Sequence, residues 1–161
     1  MNAMAIERLN PLTLQAETAA DLMSPNPLSV GEQATVAEAV TLLVNKGFHA
    51  APVIDAAGRP VGVLSGTDIL IHTRDQCRSP DADPTRARDM MTPAVFSVGL
   101  HTPAPRVVRD LVALGVHQLF VVDGASVLVG VISALDVARH LAAEETNINT
   151  LIAQPSLLSE E

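Results

Sequence analysis

Apolar positions along the chain follow a helical period in some stretches and form short unbroken runs in others. Apolar side chains recur every three or four positions between Thr35, a helix-capping residue type, and Gly47, a helix-ending one. Two apolar runs separated by a polar turn at 55–59 then predict a pair of strands. In chain order the predicted elements are a strand at 28–30, a helix between Thr35 and Gly47, strands at 50–54 and 60–64, and a helix from Ser65 to about Thr73.

The same order of elements is predicted again 68 positions later. The segment Gly-Val-Leu-Ser-Gly-Thr-Asp at 62–68 recurs as Gly-Val-Ile-Ser-Ala-Leu-Asp at 130–136, and the register holds without a gap. Such a repeat indicates a duplicated supersecondary unit with two similar sites. Because Pro103 replaces Thr35 in the second copy, the predicted helix cap there moves to Thr102. The predicted elements are a strand at 95–98, a helix at 104–114, strands at 118–122 and 128–132, and a helix from Ala134.

The repeat divides the chain into five segments. Thr18 predicts a cap for a short helix at 19–23. Met23, Met90 and Met91, beside Ser-Pro and Thr-Pro turns, are expected to fill packing gaps where the halves meet. The segments are a leader at 1–20, repeat 1 at 21–73, a polar linker at 74–88, repeat 2 at 89–143, and a helical extension and tail at 144–161.

Composition narrows the class of protein. The net charge of −8 disfavours nucleic acid and anionic membranes as partners. Hydrophobic residues make up 48% of the chain and aromatic residues only 2%, so Val, Leu, Ala and Ile must build the core of a compact α/β protein. One cysteine, Cys77, forms no intrachain disulfide, and no apolar run approaches the ~20 residues of a membrane span. These features predict a cytoplasmic protein.

The repeated Ser-x-x-Asp has two interpretations. Ser followed three residues later by an acidic residue resembles a helix capping box, which is a purely structural role. A strand that runs directly into a helix also presents free amides and a positive dipole end to a phosphate. An acidic residue in the first turn, Asp68 or Asp136, accepts hydrogen bonds from the cis-diol of a ribose. The duplicated motif therefore predicts nucleotide binding as well as capping.

Over residues 21–143 the sequence resembles tandem CBS domains, the pair called a Bateman module. The resemblance rests on the order and duplication of short motifs rather than on any one of them. These motifs are Asp-Leu-Met-Ser-Pro at 21–25 and Asp-Met-Met-Thr-Pro at 89–93, Thr-Val-Ala-Glu-Ala at 35–39, Gly-Phe-His-Ala-Ala-Pro-Val at 47–53, and the two Gly-x-x-Ser-x-x-Asp segments.

The resemblance implies an α/β (α+β) fold of two β-α-β-β-α repeats packed about a pseudo-twofold axis, with a cleft on each side and usually a homodimer. It implies adenosine-containing ligands such as AMP, ADP, ATP or S-adenosylmethionine. Asp68 and Asp136 would take ribose hydroxyls, Ser65 and Ser133 would lie near phosphate, and Thr67 would assist at the first site only. The remaining positions carried over are Thr35, near the first cleft, and His49, Ala50, Pro52, His117, Gln118 and Phe120, along base and phosphate.

The second copy departs from the family pattern more than the first. It has Phe120 where proline is usual, Leu135 in place of Thr67 and Pro103 in place of Thr35. Neither His49 nor His117 is followed by the arginine of many phosphate-binding members. The two histidines are either pH-dependent phosphate contacts or half-buried residues at strand entries. The positive charge that would neutralise a bound phosphate would have to come from the histidines or from Lys46, Arg59, Arg106, Arg109 or Arg139.

Two function classes remain open. The first is a stand-alone regulatory module that binds an adenine nucleotide, with no required cofactor, and signals to an unidentified protein partner through a conformational change. The alternative is a ligand-free structural or dimerisation module with degenerate clefts. An enzyme is not expected, because no nucleophile with a base and no phosphate-cradling glycine loop is evident. No metal site is expected either, since His72, His101 and His140 lack ligand spacing.

Overall fold

Two matched β-α-β-β-α units form the fold, as a computed structural model that describes residues 12–76 and 85–143 shows. The elements are β1 Leu12–Leu14, α1 Ala19–Leu22, β2 Ser24–Pro25, β3 Val30–Gly31, α2 Val36–Lys46, β4 Ala50–Ile54, β5 Pro60–Ser65, α3 Gly66–Gln76, α4 Ala87–Met90, β6 Ser97–Gly99, α5 Ala104–Leu114, β7 Gln118–Val122, β8 Leu128–Ser133, α6 Ala134–Arg139 and β9 Leu141–Ala143. Each unit is an antiparallel hairpin, β4–β5 or β7–β8, with a parallel strand, β3 or β6, beside it. The predicted α+β fold of two repeats about a pseudo-twofold axis is confirmed.

Local signals explain where α2 begins and ends. Glu38 N donates to Thr35 Oγ1 at 3.3 Å, and Thr35 N donates to Glu38 Oε2 at 2.8 Å, which is a complete capping box. Gly47 ends the helix with a φ of 66°, a left-handed conformation that glycine adopts without strain. The predicted cap and end of this helix are both confirmed.

The short helix at the start of each repeat packs on the other repeat. Ala19 and Leu22 of α1 lie in one hydrophobic core with Val107 and Leu111 of α5. Ala87 of α4 lies in the other core, with residues of the first repeat. Strand β2 likewise pairs with β8, and Thr92 bridges Val63 of β5. Each repeat therefore packs against the short first helix of the other repeat rather than against its own.

Two methionines at the seam contact glycines of the repeated motif. A Cβ on Gly62 would lie 2.6 Å from Met91 Sδ, and a Cβ on Gly130 would collide with the Met23 side chain. Met90 packs against the core of the first repeat. The expected gap-filling role of the methionines is confirmed, and it explains why the motif begins with glycine.

Several predictions from the sequence are corrected by the structure. The strands predicted at 28–30 and 95–98 are found at Val30–Gly31 and Ser97–Gly99, and α4 begins within the predicted linker. The helix expected from Ala134 ends at Arg139, and β9 pairs antiparallel with β1, a strand in the predicted leader. Thr102 does not cap α5, because the backbone of Glu17 accepts from Ala104 N at 2.9 Å instead. Helix α3 extends beyond Thr73 to Gln76. Cys77, the predicted extension and tail at 144–161 and most of the predicted linker and leader lie outside the described residues.

Within the described ranges, no helix combines the length and the hydrophobicity needed to span a bilayer.

Candidate functional site

A cleft of about 790 Å³ lies between the two repeats. Both repeats contribute the turn that follows their first long helix, and the first repeat adds the start of α3 while the second adds the segment that precedes β6. The lining residues are Gly47, Phe48, His49, Ala50, Val63, Ser65, Asp68, Thr92, Ala94, Phe96, Gly115, Val116, His117, Gln118 and Phe120. The surface they form is mainly apolar, with a few polar groups at defined positions, as is usual for small-molecule sites.

Asp68 presents a partly unused carboxylate to this cleft. Its Oδ2 accepts from Ser65 N at 2.7 Å and from Ser65 Oγ at 2.6 Å, while Asp68 N donates back to Ser65 Oγ at 3.2 Å. The capping interpretation of Ser-x-x-Asp is thus realised at the start of α3. Among the described residues, no hydrogen bond is made to Asp68 Oδ1, so that oxygen remains available to a ligand hydroxyl.

The three aromatic residues of the chain converge on the same cleft. The sequence contains three Phe and neither Trp nor Tyr, and Phe48, Phe96 and Phe120 all line it. Phe120 is buried, and its N–H donates to Phe96 O at 2.9 Å. Phe48 and Phe96 remain 45% and 40% exposed. Exposed aromatic faces at the rim of a cleft favour the stacking of a flat ring.

Among the described residues that line the cleft, His49 and His117 supply the only ionisable nitrogen atoms. His49 and His117 occupy matched positions of the repeats, just before the strands begin at Ala50 and Gln118. Gly66 N donates to His49 O at 3.0 Å, which fixes His49 beside the start of α3. None of the basic residues considered from the sequence lines the cleft: Lys46, Arg59, Arg106, Arg109 or Arg139.

Three residues carried over from the family lie away from the cleft lining. Thr35 caps α2 through Glu38. Pro52 is buried in β4, opposite Val63. Thr67 lines a separate groove of about 480 Å³ next to α2 and α3.

Ser133 and Asp136 are likewise absent from the lining. Asp136 is only 7% exposed, and its Oδ1 contacts Ser24 Oγ at 3.1 Å and Arg139 Nη1 at 3.2 Å. Burial by itself raises the pKa of Asp136, but the hydrogen bonds from Ser133 and Ser24 and the charge of Arg139 bring this pKa below its usual value. The second carboxylate is therefore ionised and already engaged by the protein.

Sequence reasoning missed several lining residues. Phe48 and Phe96 belong to different repeats, and neither lies at a position that the Ser-x-x-Asp motif marks. The sequence did offer one signal for these residues. The chain has only three aromatic residues, so each of them is a candidate for a specific role. Thr92 could also have been predicted, since it follows Met91 in the segment Met-Thr-Pro, which the first copy carries as Met-Ser-Pro.

The described residues include no cluster of three or more histidine, cysteine or acidic side chains that could hold a metal ion. What the cleft offers chemically is recognition: an open carboxylate oxygen, two imidazoles and aromatic faces.

Comparison with known proteins gives consistent matches. The family model described as CBS domain matches residues 19–74 and again 87–143. The chain is 33% identical over 138 residues to the magnesium transporter MgtE of Thermus thermophilus, a match that covers 82% of this chain and 28% of the transporter. It is 30% identical over 124 residues to the 5'-AMP-activated protein kinase subunit gamma-3 of Bos taurus, covering 74% of this chain and 25% of that subunit. The chain thus spans about a quarter of the length of each relative.

The fold is also similar to a crystal structure of CBSX2 in complex with AMP. The TM-score is 0.64 at 30% sequence identity, and the match covers 77% of this chain and 95% of that one.

Proposed function

This chain belongs to the CBS-domain family, with two copies in tandem, and we propose that it is a regulatory module that binds an adenosine-containing ligand in the cleft at Asp68. The observation that carries the proposal is the convergence of Asp68 Oδ1, which has no hydrogen bond from the described residues, with all three aromatic residues of the chain. CBS-domain proteins are typically regulatory, and CBSX2, a protein of the same fold, is known in complex with AMP. A module of this kind needs no catalytic step and no required cofactor.

The groups of the cleft match the three parts of a nucleotide. A ribose cis-diol would donate to Asp68 Oδ1, as acidic residues accept from ribose in other nucleotide sites. The adenine ring would lie against Phe48 or Phe96, whose faces are partly exposed. Phosphate would lie near Ser65 and the imidazoles of His49 and His117. The described lining residues include no lysine or arginine, which favours ligands of low charge, so we propose AMP or S-adenosylmethionine before ATP.

Signalling would follow from the position of the cleft between repeats. A ligand that contacts both repeats binds most tightly to one arrangement of them, and it therefore shifts the population toward that arrangement. A protein partner that distinguishes the arrangements would read the signal. The single cysteine of the chain is compatible with the reducing cytoplasm, where free nucleotides are abundant.

The first test is a thermal-shift panel of AMP, ADP, ATP, S-adenosylmethionine and NAD, each alone and with Mg²⁺. A ligand at 100 times its dissociation constant stabilises the folded state by about 2.7 kcal/mol. For a chain of this size that raises the melting temperature by roughly 5–10 °C. We expect AMP or S-adenosylmethionine to give the largest shift; a panel without any shift rejects the nucleotide proposal and leaves the structural alternative.

A second function, dimerisation, is favoured by exposed valines at matched positions. Val44 of α2 is 72% exposed and Val112 of α5 is 78% exposed, so both repeats present the same apolar feature on their helices. A second copy of the chain is the occupant suited to such a repeated face, because an isologous interface uses the same patch twice. We propose that the chain forms a homodimer through these helices.

The double variant Val44→Glu/Val112→Glu tests the dimer by size-exclusion chromatography with light scattering. We expect the wild type at twice the chain mass and the variant at the chain mass, since each chain would bring two carboxylates into the proposed apolar contacts. Leu12→Glu is the matched control, because Leu12 is 62% exposed but lies on β1, apart from these helices. A wild type that elutes as a monomer, or a double variant that stays dimeric, contradicts this interface.

A further inference from the structure

The two repeated carboxylates are capped in the same way. Ser65 and Ser133 each donate their N–H to the aspartate three residues later at 2.7 Å. Their hydroxyls donate to the same carboxylate oxygen at 2.6 and 2.7 Å, respectively. One oxygen of Asp68 and one of Asp136 are thereby used identically. A difference in how the two carboxylates are hydrogen-bonded must therefore lie at the other oxygen, Oδ1.

The second oxygen is treated differently in the two repeats. Asp136 Oδ1 accepts from Ser24 Oγ at 3.1 Å and from Arg139 Nη1 at 3.2 Å. At the Asp68 site the matched positions are Thr92, which belongs to the second repeat, and Ile71, which belongs to the first. Isoleucine has no hydrogen to donate, and within the described part of the chain Thr92 makes no hydrogen bond to Asp68. The exchange of Arg139 for Ile71 removes a donor, whereas Thr92 keeps a hydroxyl like that of Ser24 and differs only in not reaching Asp68.

Burial and aromatic content also differ between the two sites, and both differences favour ligand binding at Asp68. Asp136 is 7% exposed, whereas Asp68 is half-buried and lines the cleft. The cleft at Asp68 contains Phe96 and Phe120, and the positions matched to them are Leu28 and Pro52. Both of these aromatic residues of the cleft therefore have non-aromatic counterparts.

We propose that each chain binds one nucleotide, at Asp68, and that Arg139 and Ser24 close the second carboxylate by occupying the oxygen that a ribose hydroxyl would need. The inference rests on the proposed function and assigns its stoichiometry. A ribose at Asp136 would have to displace both the hydrogen bond from Arg139 and the one from the Ser24 hydroxyl. Hydrogen bonds between charged groups, such as that from Arg139, are stronger than those between neutral groups. Arg139 therefore acts as an internal substitute for the ligand.

The test is equilibrium dialysis with labelled AMP, counted per chain. We expect one AMP for the wild type and a second, more weakly bound AMP for the double variant Ser24→Ala/Arg139→Ile. The variant gives the second repeat the isoleucine of the first and frees Oδ1 of Asp136, but it does not restore the aromatic residues. Arg106→Ile is the matched control, because Arg106 is another exposed helical arginine, 3.7 Å from Asp110, away from Asp136. The control should remain at one AMP.

The converse substitution keeps the inference testable if the double variant does not fold. Ile71→Arg places a guanidinium three residues after Asp68, as Arg139 lies after Asp136, at a position that is 47% exposed. We expect the affinity for AMP to fall at least about tenfold, the scale of a charge-assisted hydrogen bond. Leu70→Arg adds the same charge to the same helix at a position that is 71% exposed and should leave the affinity unchanged.

The outcomes separate this inference from the function on which it rests. Two AMP per wild-type chain, or one AMP in the double variant, overturns the closed-site inference and leaves nucleotide binding intact. An equal effect of Ile71→Arg and Leu70→Arg also overturns it. A wild type that retains no AMP rejects the proposed function itself.

Discussion

Replacing Asp68 with asparagine is expected to lower the affinity for AMP by about 10- to 100-fold, because hydrogen bonds to a charged group contribute about 1.5–3 kcal/mol. In the proposed complex the ribose diol would donate to Oδ1, while Ser65 holds Oδ2. Asparagine has a similar shape and still carries an oxygen that can cap α3. The loss of AMP affinity therefore measures the contribution of the negative charge and of the second acceptor oxygen, and not the loss of the helix cap. Equilibrium dialysis gives the affinity, and circular dichroism verifies the fold.

Two controls separate ligand binding from capping. A 2′,3′-dideoxy analogue of AMP has no hydroxyls to donate, so the wild type and Asp68→Asn should bind it equally. Asp136→Asn changes the same cap in α6 and, because Asp136 is not among the cleft lining, should leave the affinity for AMP unaltered. If Asp68→Asn weakens AMP and its dideoxy analogue by the same factor, Asp68 is a helix cap and no more.

Substitution of Gly62 by alanine is expected to destabilise the fold by about 1–3 kcal/mol, the usual cost of overpacking. The added Cβ would lie 2.6 Å from Met91 Sδ and 2.7 Å from the Thr92 carbonyl oxygen. The methionine side chain can move, but the Thr92 backbone is fixed by paired hydrogen bonds of 2.9 Å with Val63. The contact between the repeats must therefore shift, and urea denaturation measures the change in the free energy of unfolding.

Gly124→Ala is the matched control for this substitution. A Cβ at Gly124 meets nothing within 4 Å, and its backbone conformation is open to other residues. We expect this variant to unfold at the wild-type urea concentration or slightly above it. A Gly62→Ala protein as stable as Gly124→Ala would mean that the seam between the repeats is loosely packed.

Much of the secondary structure could be predicted because its signals are local. Thr35, Glu38 and Gly47 lie within or beside α2, and the bounds that they predict are those observed. The strands β4 and β7 were also placed correctly, as apolar runs next to turns. The short strands β1 and β9 carry no comparable signal, since each consists of three residues and depends on the other for its hydrogen bonds.

The candidate site was predictable in part. The Ser-x-x-Asp motif identified the carboxylates, and the repeat indicated two of them. The motif could not reveal that Phe48 and Phe96 line the same cleft as Asp68, because they come from different repeats and the cleft forms only when the repeats pack. Nor could it reveal that Asp136 is already engaged.

By itself, the sequence determined the duplication, the strand–helix–strand–strand–helix order within each repeat, the family and the capping of both helices by their serines. These properties depend on neighbouring residues and on a register that can be read along the chain. Only the tertiary structure decided that the repeats exchange their first helices and that the two carboxylates differ. The reason is physical: the Ser24–Asp136 hydrogen bond joins residues 112 positions apart, and such a contact exists only once the halves have packed.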